Sequence, residues 1–156
     1  MSQLRVDAEG TTSADPEIVW SIVADANSYP RWGPWQDGGY RPPAAGPSRE
    51  GSIQWFRYGR RTVTVEEILE IDRPRRLVYR VVKGIPVRNY RAEVVLTPGP
   101  GQGTAIHWSA AWDDTLLGRI VHRKLRQLYP QIVLALVTEA DQRTARASGL
   151  RAGETT

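Results

Sequence analysis

Apolar and polar residues alternate from Leu4 to Ala8, the two-residue period of a half-buried strand. The period then changes. Ile18, Val19, Ile22 and Val23 recur at helical spacing, with Ser13 or Asp15 placed to cap, Pro16 in the first turn and Glu17 near the positive end. Asn27, Ser28 and Pro30 break that helix, and the segment YPRWGPW predicts a short turn or helix followed by loop. The Pro- and Gly-rich segment YRPPAAGPSREG predicts a loop inside the domain. Strand-like runs follow over residues 52–58, 61–71, 76–82, 87–97 and 104–112, separated by YGRR, DRPR, KGIP and TPGPGQG. Successive strands joined by short turns predict an antiparallel meander.

Residues 116–146 predict one long helix, about 45 Å if straight. Leu117, Val121, Leu125, Leu128, Ile132 and Leu136 share one face, while Arg119, Arg123 and Arg126 lie on the other. Pro130 falls on the polar side and removes one backbone donor, which predicts a kink. The segment IVLALV is apolar all round, so it is expected to be deeply buried or to meet a partner. A strand, two short helices, a run of strands and a long closing helix predict an α+β layer architecture, with all helices on one side of a curved sheet. The expected organisation is a single domain over residues 1–148 and a disordered tail over 149–156.

Composition narrows the function classes. A chain of 156 residues suffices for one core without staples. It has no cysteine, which excludes disulfides, thiolate metal sites and a thiol nucleophile. No apolar run approaches the roughly 20 residues of a membrane span, and the first ten residues lack a signal pattern. A cytoplasmic protein is expected. The net charge of +4 and pI near 9.8 raise nucleic acid or anionic membranes as partners, but the charges are scattered. No nucleic-acid module is recognisable, and no nucleic acid is expected as a partner. GPGQG lacks the Lys-Ser/Thr of a phosphate loop, and there is no Gly-x-Ser-x-Gly elbow. Two histidines without cysteine or a His-x-x-x-His pair predict no metal site, and no cofactor is expected.

Four stretches, ADPEIVWSIVADANSYPRWGPW, EGSIQWFRYGRRTVTVEEILEIDRPRRLVYRV, IPVRNYRAEVVLTP and GQGTAIHWSAAW, occur in that order before the terminal helix. Together they resemble the START-like helix-grip superfamily (SRPBCC), in its bacterial polyketide cyclase/dehydrase-like branch. The resemblance implies a helix-grip fold: a curved antiparallel sheet of six or seven strands wrapped around the C-terminal helix, enclosing a pocket. The periodicity above supplies six strands, leaving a seventh near Tyr40 open. The resemblance also implies carriage of lipids, polyketides or other hydrophobic molecules, or in a minority of members catalysis. It carries no fixed catalytic set.

On the resemblance, Trp108, Tyr90, Ile68 and Leu77 face the helix. Strand parity extends that face to Glu66, Thr64, Tyr79, Val94, Leu96, Ile106, Ala110 and Trp112. A carboxylate facing an apolar interior must be paired, protonated or hydrogen-bonded, so Glu66 is either an acid/base or ligand-binding group or the partner of an arginine such as Arg88. Tyr79, Tyr90 and Tyr129 each offer an apolar body with a polar tip. His122, Leu125 and Tyr129 share one flank of the long helix. Glu66, Tyr90 and His122 are therefore the catalytic candidates. Trp35, Thr64, Glu66, Ile68, Tyr79, Tyr90, Trp108, Trp112, Leu125 and Tyr129 are the ligand-binding candidates. His107 has the outward parity. Of the tryptophans in the opening helix and loop, Trp20 is expected in the core, Trp32 at its closure and Trp35 against a ligand.

The expected function is binding of a hydrophobic or aromatic small molecule in an internal pocket between sheet and helix. The alternative is a polyketide cyclase, aromatase or dehydratase using pocket acid/base groups. A third reading takes the arginine face and IVLALV as a membrane or partner surface, with a homodimer among the partners.

Overall fold

The computed structural model describes residues 2–153. The chain opens with β1 (Gln3–Thr12) and continues through α1 (Pro16–Val23), a 3₁₀ turn (Ala26–Ser28), α2 (Tyr29–Trp32) and β2 (Asp37–Tyr40). The strands β3 (Ile53–Tyr58), β4 (Thr62–Asp72), β5 (Arg76–Lys83), β6 (Arg91–Pro98) and β7 (Thr104–Asp113) lead to α3 (Leu116–Gly153). Asp15 is the cap of α1: its carboxylate accepts from the backbone N–H groups of Glu17 and Ile18 at 2.9 and 3.1 Å. Asp25 caps the following turn through Asn27 N–H.

All seven strands form one antiparallel sheet in the order β1-β7-β6-β5-β4-β3-β2. This is the α+β helix-grip architecture. The seventh strand, β2, does lie at Tyr40. Its four residues include Gly38 and Gly39, so it carries no alternation for periodicity to detect. The expected run 87–97 narrows to Arg91–Pro98: Asn89 takes a positive φ of 58°, and Arg88 O instead accepts from Asp113 N–H.

α3 runs along β1. His122 Nε2 is hydrogen-bonded to Arg5 O at 3.0 Å near one end, and Thr12 Oγ1 donates to Asp141 at 2.5 Å near the other. Between them Gly10 permits close approach, because a Cβ there would stand 2.8 Å from Val133 Cγ1. Leu125, Tyr129, Ile132, Val133, Leu136 and Ala140 form the buried face. Leu117, expected on that face, is 53% exposed. The arc that meets the sheet is centred on Tyr129 and Leu136, which leaves Leu117 beyond its edge. IVLALV divides in the same way: Ile132, Val133 and Leu136 are buried and Leu134 is 66% exposed. Pro130 is exposed on the solvent side. The helix continues through Gly153, so it enters the segment 149–156, of which 154–156 lie outside the described residues.

The outer face of the sheet is a lattice of ion pairs. Arg76 joins Glu70 and Glu93, Arg91 joins Glu70, Arg80 joins Glu67, and Asp7 joins Arg5 and His107. His107 thus has the outward parity expected of it. Its partner Asp7 titrates below the ordinary carboxylate range, first because of Arg5 and then because of His107.

Candidate functional site

The concave face is built by inward positions paired across neighbouring strands. Gln54 lies opposite Glu66, and Phe56 opposite Thr64. Ile68 lies opposite Tyr79, Leu77 opposite Val94, and Val94 opposite Trp108. The register shift at Leu69 matters here. It inserts one residue into β4, so that Ile71, opposite Leu77, follows Ile68 on the inward face and Glu70 turns outward, where unbroken alternation would have put Glu70 inside. Ile68, Tyr79, Tyr90, Trp108, Trp112, Leu125 and Tyr129 are all buried. Thr64, Glu66 and Trp35 keep partial exposure, as do Val81, Val121 and Leu128 on neighbouring elements. We refer to these partly open positions as the rim and to the buried ones as the floor.

The floor is aromatic and hydroxyl-rich. Tyr90 stacks on Trp112 with centroids 5.5 Å apart, and Trp108 meets Tyr129 edge-on at 6.4 Å. Trp108 Nε1–H donates to the Tyr79 hydroxyl at 3.1 Å, and the Tyr90 and Tyr129 hydroxyls are hydrogen-bonded to each other. Trp112 Nε1–H is used up at the Gly118 carbonyl, 3.0 Å away. Rings of the sheet and of α3 thus reach each other across the interior, Trp108 and Tyr90 both meeting Tyr129. The reason is size: large side chains projecting from a curved sheet and from α3 meet in the middle.

Glu66 brings a carboxyl to this face. Among the described residues its side chain has one hydrogen-bond partner, Gln54, whose Nε2 donates to Oε2 at 2.8 Å. The arginine partner expected for it, Arg88, is exposed on the loop before β6, and a neutral amide takes its place. Protein surrounds the carboxyl even though the residue retains some solvent access, and this desolvation raises its pKa to about 7 against the opposing Gln54 bond. Tyr29, Tyr79, Tyr90 and Tyr129 are each raised well above the ordinary phenol range. Burial is the main cause, and the Glu66 charge adds to every one. The result is a set of neutral phenol donors around a carboxyl that exchanges its proton near neutrality. Such a set can orient a carbonyl or hydroxyl of an apolar guest, or move a proton to it.

Gln54 escaped the sequence reading. Its signal was parity with Phe56, since a strand that buries Phe56 must also turn Gln54 inward. His122 is held at the β1 backbone, with its ring 6.0 Å from Trp112, and no hydrogen bond joins it to Glu66 or the tyrosines. Trp20 is core. Trp32 and Trp35 belong to a four-ring cluster with Tyr29 and Phe56, with centroids 4.6–5.5 Å apart. Through Phe56, opposite Thr64, this cluster adjoins the Glu66 end of the concave face.

Two hollows lie elsewhere. One of about 210 Å³ sits on the outer face between Arg5, Arg91 and Glu93, above Ser109 and Ala111. The other, about 460 Å³, is an open groove between α2 and α3 lined by Trp32, Gln131, Leu134 and Thr138. Among the described residues no group of histidines and carboxylates is placed to hold a metal ion, and no helix is long and apolar enough to cross a membrane.

The profile of the family described as polyketide cyclase/dehydrase and lipid transport matches residues 3–141, and the chain belongs to that family. Its fold is a ligand-binding one. Among solved structures, one from Thermobifida fusca, determined by solution NMR, is similar at 23% identity. That match covers 88% of this chain and 93% of that one, with a TM-score of 0.73. A protein from Nitrosospira multiformis is similar at 16% identity over 91% of this chain and 99% of its own, TM-score 0.72. A Mesorhizobium loti protein is similar at 18% identity over 89% and 98%, TM-score 0.72. These likenesses concern the fold. No curated protein matches the chain.

Proposed function

We propose that this member of the polyketide cyclase/dehydrase and lipid transport family binds a hydrophobic or aromatic small molecule between its sheet and α3. One observation carries the reading. A carboxyl held only by a neutral amide, and a group of buried phenols, share the concave face of an otherwise apolar interior. A core built for stability alone gains more from plain hydrophobes of the same size. Guest binding removes apolar surface from water, worth about 25 cal/mol per Å². Glu66 and the Tyr90–Tyr129 pair fix the guest's polar group. In this reading the guest enters past the partly exposed Trp35, Thr64 and Leu128 and displaces the rings that meet between sheet and helix. Ile68, Tyr79, Trp108, Trp112 and Leu125 then line the enlarged space. Saturable displacement of a bound fluorescent probe by candidate lipids and aromatic polyketides tests this reading. Displacement that Ile68→Trp abolishes supports it, and displacement indifferent to Ile68→Trp removes the interior as the site.

A second reading, polyketide cyclase, aromatase or dehydratase activity, is favoured by burial raising the Glu66 pKa to about 7 beside neutral phenols. In it Glu66 moves the proton and Tyr90 donates a hydrogen bond to the reacting carbonyl. Glu66→Gln distinguishes the two readings. Loss of turnover with retained binding supports catalysis. Retained conversion by Glu66→Gln, or no conversion by the unaltered protein, leaves binding alone.

A further inference from the structure

The first turns of α3 project three apolar side chains into water: Leu116 is 79% exposed, Leu117 53% and Ile120 50%. At 100° per residue, Leu116 and Ile120 point away from the sheet, Leu117 lies at the border of that sector, and Arg123 and Lys124 occupy the same sector one turn later. From Ile120 to Lys124 the rise is about 6 Å. Arg126 flanks the sector. Arg123, Lys124 and Arg126 are exposed and have no carboxylate partner among the described residues, in contrast to Arg119, which is paired with Asp114. Arg88 is exposed on the adjoining loop, which Asp113 N–H ties to the start of the helix through the Arg88 carbonyl at 2.9 Å. The tip of the rod therefore carries an apolar wedge with a cationic collar behind it.

We propose that this tip docks on an anionic lipid surface, with Leu116, Leu117 and Ile120 entering the headgroup–acyl boundary and Arg123, Lys124, Arg126 and Arg88 meeting lipid phosphates. The spacing matches the depth order of a bilayer, with apolar groups leading and bases about one turn behind at headgroup level. A second copy of the chain fits less well. A two-fold contact through this patch would bring the two collars together, like charge on like, and three side chains fall short of the roughly 800 Å² per partner of a stable interface. The proposal does not depend on a guest in the interior.

The test is flotation of the full chain with vesicles of phosphatidylcholine alone and of equal parts phosphatidylcholine and phosphatidylglycerol. Binding to the anionic vesicles only, weakened by raising the salt from roughly 0.1 to 1 M, is expected. Arg123→Gln with Lys124→Gln should weaken it roughly thirtyfold, at about fivefold per charge near the surface. Leu116→Ser with Leu117→Ser and Ile120→Ser should abolish the salt-resistant remainder. All five positions are exposed, so melting temperatures should be unchanged, which separates lost docking from lost folding. Equal binding to neutral vesicles, absence of binding, or full binding by either variant overturns the proposal. So does a concentration-dependent dimer that the serine variant dissolves, which would assign the patch to a second copy.

Discussion

Gln54 and Glu66 face each other across β3 and β4, and the Gln54 side-chain amide donates to the Glu66 carboxylate at 2.8 Å on the inward side of the sheet. The amide satisfies one lone pair and supplies no positive charge. Glu66 is therefore stabilised more as an acid than as an anion.

That imbalance fixes the sign of a pH effect. The Glu66 pKa rises from an ordinary 4.5 to about 7 on folding, so between those values the folded chain binds more protons than the unfolded one. The contribution is fully present below the lower value and is lost as pH rises through the upper one. Urea denaturation of the unaltered protein and of Glu66→Gln at successive pH values should show the unaltered protein losing relative stability from pH 5 to 8, by at most about 3 kcal/mol. Parallel curves for the two proteins would contradict the burial of this carboxyl.

The phenols differ in what depends on them. Tyr79→Phe leaves the buried Trp108 Nε1–H without its acceptor, an expected cost of about 1–3 kcal/mol. Tyr129→Phe leaves the buried Tyr90 hydroxyl without its partner, an expected cost of the same size, about 1–3 kcal/mol. Chemical denaturation measures both, and a loss below about 0.5 kcal/mol for either variant would refute the bond assigned to it.

Gly33 makes room for an indole. A Cβ there would stand 2.1 Å from Trp35 Cζ3, so Gly33→Ala must expel the ring from its contacts with Tyr29, Trp32 and Phe56. The expected destabilisation is about 1–3 kcal/mol, with a red shift of tryptophan emission as Trp35 gains water. Unchanged emission would show that the rim does not rest on this packing.

Strand parity was legible where strands are regular. Ile68, Tyr79, Val94 and Trp108 all face inward as alternation requires. β2 was not, because a short glycine pair has no period, and the partner of Glu66 was not, because choosing Gln54 over Arg88 requires knowing which strands lie side by side. The outward turn of Leu117 was likewise hidden: a periodic apolar face is wider than the arc that a curved sheet covers. The meeting of Trp108 and Tyr90 with Tyr129 had no sequence signature, since an aromatic residue that lines a hollow and one that fills it read alike.

The indole N–H resonances of two tryptophans test guest binding most directly. Trp108 lies on the inner face beneath Tyr79, while Trp55 lies on the outer face under Arg41, 5.2 Å from its ring centroid. Titration with N-phenylnaphthylamine should shift the Trp108 signal saturably and leave Trp55 in place. A shift confined to Trp55, or a Trp108 signal that never moves, would contradict an interior that admits a guest.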